Sequence, residues 1–232
     1  MKSWFPFAEY EFYAYLSAGM LLIAAIDYSF GGSVLINRQS WTVAAVVFWI
    51  VIAYLIGHLA AGWSASFLDQ FVGRRLFISS SDMLLGLKAS RTRERLLAAI
   101  SGATEYRPMS PSLSSSILTK VATRVGSNAT SSIDGDAAFE AAFPLARTSP
   151  DTAARLDRFL NAYGLCRNVS FVSFIAVGLL AVAGLQRGDA TCGWLSFAAL
   201  ILGLGMFGRF KKFHAAYARE VFRTFDRLAD AP

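Results

Sequence analysis

The chain has 232 residues, 55% of them hydrophobic and only 16% charged, with a formal net charge of +6. Soluble domains average ~45–50% apolar and roughly 25% charged residues, so one large water-soluble core is the poorer account. The surplus is gathered into four stretches, Phe12–Phe30, Trp41–Ala61, Val169–Leu185 and Trp194–Phe207, and a bilayer span needs about 20 mainly apolar residues.

Residues 1–15 are crowded with aromatics, among them Trp4, Phe5, Phe7, Tyr10, Phe12, Tyr13 and Tyr15. This pattern suits an interfacial belt leading into the first span, or packing against a neighbour. Lys2 set against Glu9 and Glu11 makes a poor secretory n-region, so the first stretch reads as a retained span. Gly31 and Gly32 end that span, and Ser40 is placed to cap the second. The second span carries no Asp, Glu, Lys or Arg and is expected to continue as a helix through Ser64–Phe77.

Three shorter helices are expected next. Asp82–Ile100 carries Arg91, Arg93 and Arg95; Pro111–Val125 is capped by Ser110 and stopped by Gly126; Asp136–Phe143 precedes Pro144. Ser149, Pro150 and Asp151 supply a cap, a first-turn proline and an early acid, so one helix is expected from about Pro150 to Leu185. The tail keeps helical periodicity through Phe210, Phe213, Tyr217, Val221, Phe222 and Phe225, with basic residues interleaved. Two or three helices thus extend beyond the apolar band and suit a stalk.

The basic residues are unevenly placed. Of 22 Lys and Arg, 13 fall between Arg74 and Arg167, and six between Arg209 and Arg227; the short loops after the first and third spans hold only Arg38 and Arg187. Such a skew places the long middle segment and both termini in the cytoplasm. It also explains the positive charge without nucleic acid. The expected fold is all-α: a polytopic membrane protein with four transmembrane helices and a helical cytoplasmic layer. Its parts are an N-terminal hairpin over 1–62, a cytoplasmic segment over 63–165, a second hairpin over 166–208 and a basic tail over 209–232. The expected location is a bacterial inner membrane.

Few residues suggest chemistry. Asp27 is the one carboxylate well inside a span, and intramembrane charges mark functional sites by default. It lies about one turn from the outer end, where it reads first as an interface residue and second as part of an ion or proton pathway. Histidine as a residue type can shuttle protons, but His58 sits some ~25 Å below the outer surface, so the two cannot pair in one protomer. Ala53, Gly57 and Ala61, with Gly62 on the adjacent row and Ala199 and Gly203 in the fourth span, form small-residue stripes suited to helix packing or an oligomer face. Arg74, Arg75, Arg91, Arg93, Arg95, Arg209, Lys211 and Lys212 suit lipid headgroups or an acidic partner. Cys166 and Cys192 start spans at opposite faces, too far apart for a disulfide.

No phosphate loop, Gly-x-Ser-x-Gly elbow or Cys/His metal cluster is present in the sequence, and His58 and His214 are the only histidines. No catalytic residue, cofactor or metal is expected. The leading expectation is a non-enzymatic, homo-oligomeric membrane subunit that forms a pore, senses or scaffolds, with the bilayer and a cytoplasmic protein as partners. A proton or cation pathway through Asp27 and His58 comes second, and a lipid-modifying enzyme third.

Overall fold

The computed structural model describes residues 9–31, 35, 37–68, 77–88, 92, 95, 107–126 and 133–229. Every regular element among them is helical: α1 (Glu9–Ser29), α2 (Val43–Ser64), α3 (Ser80–Leu84), α4 (Pro111–Val125), α5 (Gly135–Ala146), α6 (Pro150–Arg187) and α7 (Ala190–Leu228). Four of them, α1, α2, α6 and α7, are long and apolar enough to cross a bilayer, which makes the chain an integral membrane protein. The 22 residues of α2 rise about 33 Å, close to the ~30 Å of bilayer hydrocarbon.

The chain divides into two compact units: Met1–Gln70 with Gly164–Phe207, and Phe71–Tyr163 with Gly208–Pro232. In the first, small side chains fill the interior. Ala18 and Ala60 meet Val172, and Ala25 meets Ala176, Leu180 and Ala199. Large apolar side chains point outward instead, including Val47, Leu55, Leu59 and Trp63 on α2 and Trp194, Phe197 and Ile201 on α7. That inversion of the soluble pattern suits a unit solvated by lipid, where small residues let helix backbones approach.

The second unit is built the ordinary way. Ile117, Val121, Ala138, Ala142 and Leu156 bury a core together with Val221, Phe222 and Phe225 of the tail. The tail is therefore a core-forming element of this unit and not merely a basic flank.

Local signals explain most helix ends. Thr42, not Ser40, caps α2, its Oγ1 accepting from Ala45 N–H at 3.3 Å. The helix continues past Ser64 as a wider turn over 65–68; residues 69–76, where its extension was expected, lie outside the described residues. Of the helix expected over Asp82–Ile100, the start lies in α3, which begins at Ser80 and gives way at Gly86, φ +71°; Thr92 and Arg95 are helical, and the other residues of 89–100 lie outside the described residues. Asp134 starts α5 by accepting from Ala137 N–H at 2.7 Å, and the helix runs past Pro144 to Ala146.

Candidate functional site

The stripe on α2 is used inside the chain. Ala53 is only 2% exposed, and Gly57 and Ala61 are buried. A Cβ on Gly57 would lie 1.8 Å from the Tyr15 carbonyl oxygen, and one on Gly19 would lie 1.7 Å from that of Ala53. Neither distance can hold a carbon atom, so α1 and α2 touch backbone to backbone across a glycine pair. This row of the stripe therefore packs against α1 of the same chain. The adjacent Gly62 is open, with no heavy atom within 4 Å of its Cβ position.

The fourth-span pair packs within the same unit. Ala199 is buried beside Ala25, and Gly203 lies against Phe174 while its carbonyl accepts the Ser170 hydroxyl at 2.9 Å. Ser196 likewise donates to the Val177 carbonyl at 3.0 Å. Serine hydroxyls returned to backbone carbonyls satisfy their donors where lipid offers no acceptor.

Asp27 and His58 are not brought together. The Asp27 carboxylate accepts the Leu35 N–H at 3.1 and 3.3 Å, tying the loop after α1 to that helix end. His58 is exposed, its ring 4.9 Å from that of Tyr15 and 6.4 Å from that of Tyr54. Since Tyr15 precedes Asp27 by twelve residues of one helix, about 18 Å of α1 separates them.

The two sparse loop cations serve local structure. Arg187 donates from Nη1 to the Tyr28 carbonyl at 3.1 Å and from Nη2 to that of Ser29, completing the end of α1. Arg38 donates to the Ser40 carbonyl at 3.1 Å and lies over the Trp41 ring at 5.1 Å. At the other end of α2, Ser64 and Asn168 are both buried and bonded at 2.6 Å, with Arg167 Nε 3.2 Å from the Ser64 hydroxyl. A lone Ser and a lone Asn 104 positions apart leave no sequence signal of such a link.

Of the expected headgroup residues, Arg74, Arg75, Arg91 and Arg93 lie outside the described residues. Arg95 and Arg209 are exposed and Lys212 is half-buried. Lys211 is corrected: it is 4% exposed, its ammonium 5.6 Å from the Phe77 ring centroid. Its helix turns it inward while Arg209 faces out.

The second unit holds the denser polar chemistry. Buried Asp82 accepts Gly135 N–H at 2.8 Å and Lys88 Nζ at 2.5 Å. The Asp82 hydrogen bond and charge raise the Lys88 ammonium above the usual lysine range. Where α4 meets α7, Lys120 Nζ donates to Asp226 Oδ1 at 2.6 Å and to its carbonyl at 2.7 Å, and the Ser116 hydroxyl donates to Oδ1 at 2.7 Å. Burial would push the Asp226 carboxyl up, but these two donors and the Lys120 charge hold it below the usual carboxylate range. Beside it Arg155 pairs with Glu220 at 3.2 Å. Leu113, Arg155, Glu220, Arg223, Asp226 and Arg227 line a cleft of about 400 Å³. Its signal lay in the four-residue spacing of Arg219, Arg223 and Arg227, but the partners on α4 and α6 come from distant sequence. No protein-family description, curated protein or solved structure matches this chain.

Proposed function

We propose that this chain is a non-enzymatic membrane subunit that senses or scaffolds, with its first unit as the anchor and its second unit displayed in the cytoplasm. The observation that carries this reading is the contrast between the two interiors. The anchor's interior is closed by alanines, by the Gly19–Gly57 contact and by serines whose hydroxyls return to the backbone. Such an interior favours holding over conducting. The second unit invests its charges in a folded surface over a core of its own. The concentration of Lys and Arg in its sequence supports the cytoplasmic side for that surface, and for both termini.

Two measurements on the full chain test this reading together. Reconstituted in liposomes, the protein should give no ion flux above that of empty vesicles. In native membranes, a photocrosslinker replacing the exposed Glu140 should give a discrete adduct, abolished by Phe222→Ala, which opens the core beneath it. Flux without an adduct would overturn the reading.

A further inference from the structure

We infer that the α4–α6–α7 cleft binds a phosphate-bearing anion through Arg223 and Arg227. At about 400 Å³ it falls within the ~300–1,000 Å³ of small-ligand sites. Its lining is mostly ionic, and the charges are already sorted. The carboxylate of Asp226 is held by Lys120 at 2.6 Å and by Ser116 at 2.7 Å. The carboxylate of Glu220 lies 3.2 Å from the Arg155 guanidinium, and its buried Oε1 accepts no hydrogen bond from the described residues. Each acid therefore has its own cation, and Arg223 and Arg227 remain as surplus positive charge. Arg227 spends one nitrogen on the Thr224 hydroxyl at 3.3 Å, while Arg223 makes no hydrogen bond or ion pair with the described residues.

Four residues apart on α7, the two guanidiniums are neighbours on one helix face, an arrangement that repels when empty. An anion between them removes that cost. Guanidinium forks match phosphoryl oxygens in pairs, and two forks on one cleft suit a group with three or more exposed oxygens. A second feature points the same way. Leu113 brings the first turn of α4 to the cleft, and no side chain caps that turn. Its N–H groups add positive potential at the same place. Leu113 itself gives the cleft an apolar wall, so the ligand class is a phosphomonoester or diphosphate carried on a less polar body. Soluble phosphate esters and the headgroup of an anionic lipid share that chemistry. The inference concerns binding alone and stands whether or not the chain senses or scaffolds.

The test uses the full chain in phosphatidylcholine nanodiscs and reads its thermal midpoint. One arm adds inorganic pyrophosphate; the other replaces part of the lipid with phosphatidic acid. A saturable rise in the first arm identifies a soluble ligand, and a rise confined to the second identifies a headgroup. In either case Arg223→Gln with Arg227→Gln should raise the half-saturating amount by about tenfold or more, since each lost charge-assisted contact is worth roughly that factor. Both arginines are exposed, so the variant keeps the fold. No rise in either arm, or an equal rise in the variant, would overturn the assignment.

Discussion

At the scale of single residues, two positions carry sharp consequences. Gly57 has no room for even one carbon, whereas Gly62, five residues on, has open space. Gly57→Ala should therefore cost about 1–3 kcal/mol of α1–α2 stability, since a backbone contact cannot yield as a side chain does. Gly62→Ala should stay within about 0.5 kcal/mol of the parent. Unfolding in mixed detergent micelles compares the two; equal effects would deny the seam. Asp226 is the second such residue. Its carboxyl is held below the ordinary value, so the stability it contributes is complete above the usual carboxylate range and is lost as pH falls through the folded value. Thermal melts should weaken below about pH 4, and Asp226→Asn should cost about 1–2 kcal/mol at neutral pH while flattening that acid limb. An unchanged acid limb in the variant would remove Asp226 from the account.

At the scale of elements, Phe222 shows what the tail contributes. It is fully buried against Phe139 at 6.1 Å between centroids and belongs to the core of the second unit. Phe222→Ala should cost about 3–5 kcal/mol and lower the melting midpoint of that unit, as seen by circular dichroism of the full chain. Helix positions were largely legible because their causes are local. Pro111 and Gly126 bound α4 where expected, with Gly126 at φ +70°, although the Ser110 hydroxyl makes no capping bond, and Pro150 begins α6 as expected, which ends at Arg187, two residues beyond Leu185. Misread ends follow from forces outside the local pattern. Thus α5 outran Pro144, with Ala142 and Ala146 buried in the core of the second unit. The small-residue stripe was visible as a packing face, but the identity of its partner was not, since periodicity says which face packs and not what it meets. The cleft was the least legible feature. Lys120, Arg155 and Asp226 come from three helices, and only folding makes them neighbours.

For the whole molecule, the four apolar helices place the chain in a membrane, and the distribution of its basic residues argues for one orientation. In the arrangement we propose, anchor and charged unit divide the labour: exposed apolar side chains of the first unit meet lipid, and the ion pairs and cleft of the second face the cytoplasm. The most direct measurement of this arrangement is sidedness. In a chain carrying Cys166→Ala and Cys192→Ala, a single cysteine replaces either Arg38, in the loop between α1 and α2, or Glu140, on the exposed side of α5. An impermeant maleimide applied to intact cells should label the Arg38→Cys protein at once and the Glu140→Cys protein only after permeabilisation. Labelling of Glu140→Cys in intact cells, or equal labelling of both, would contradict it.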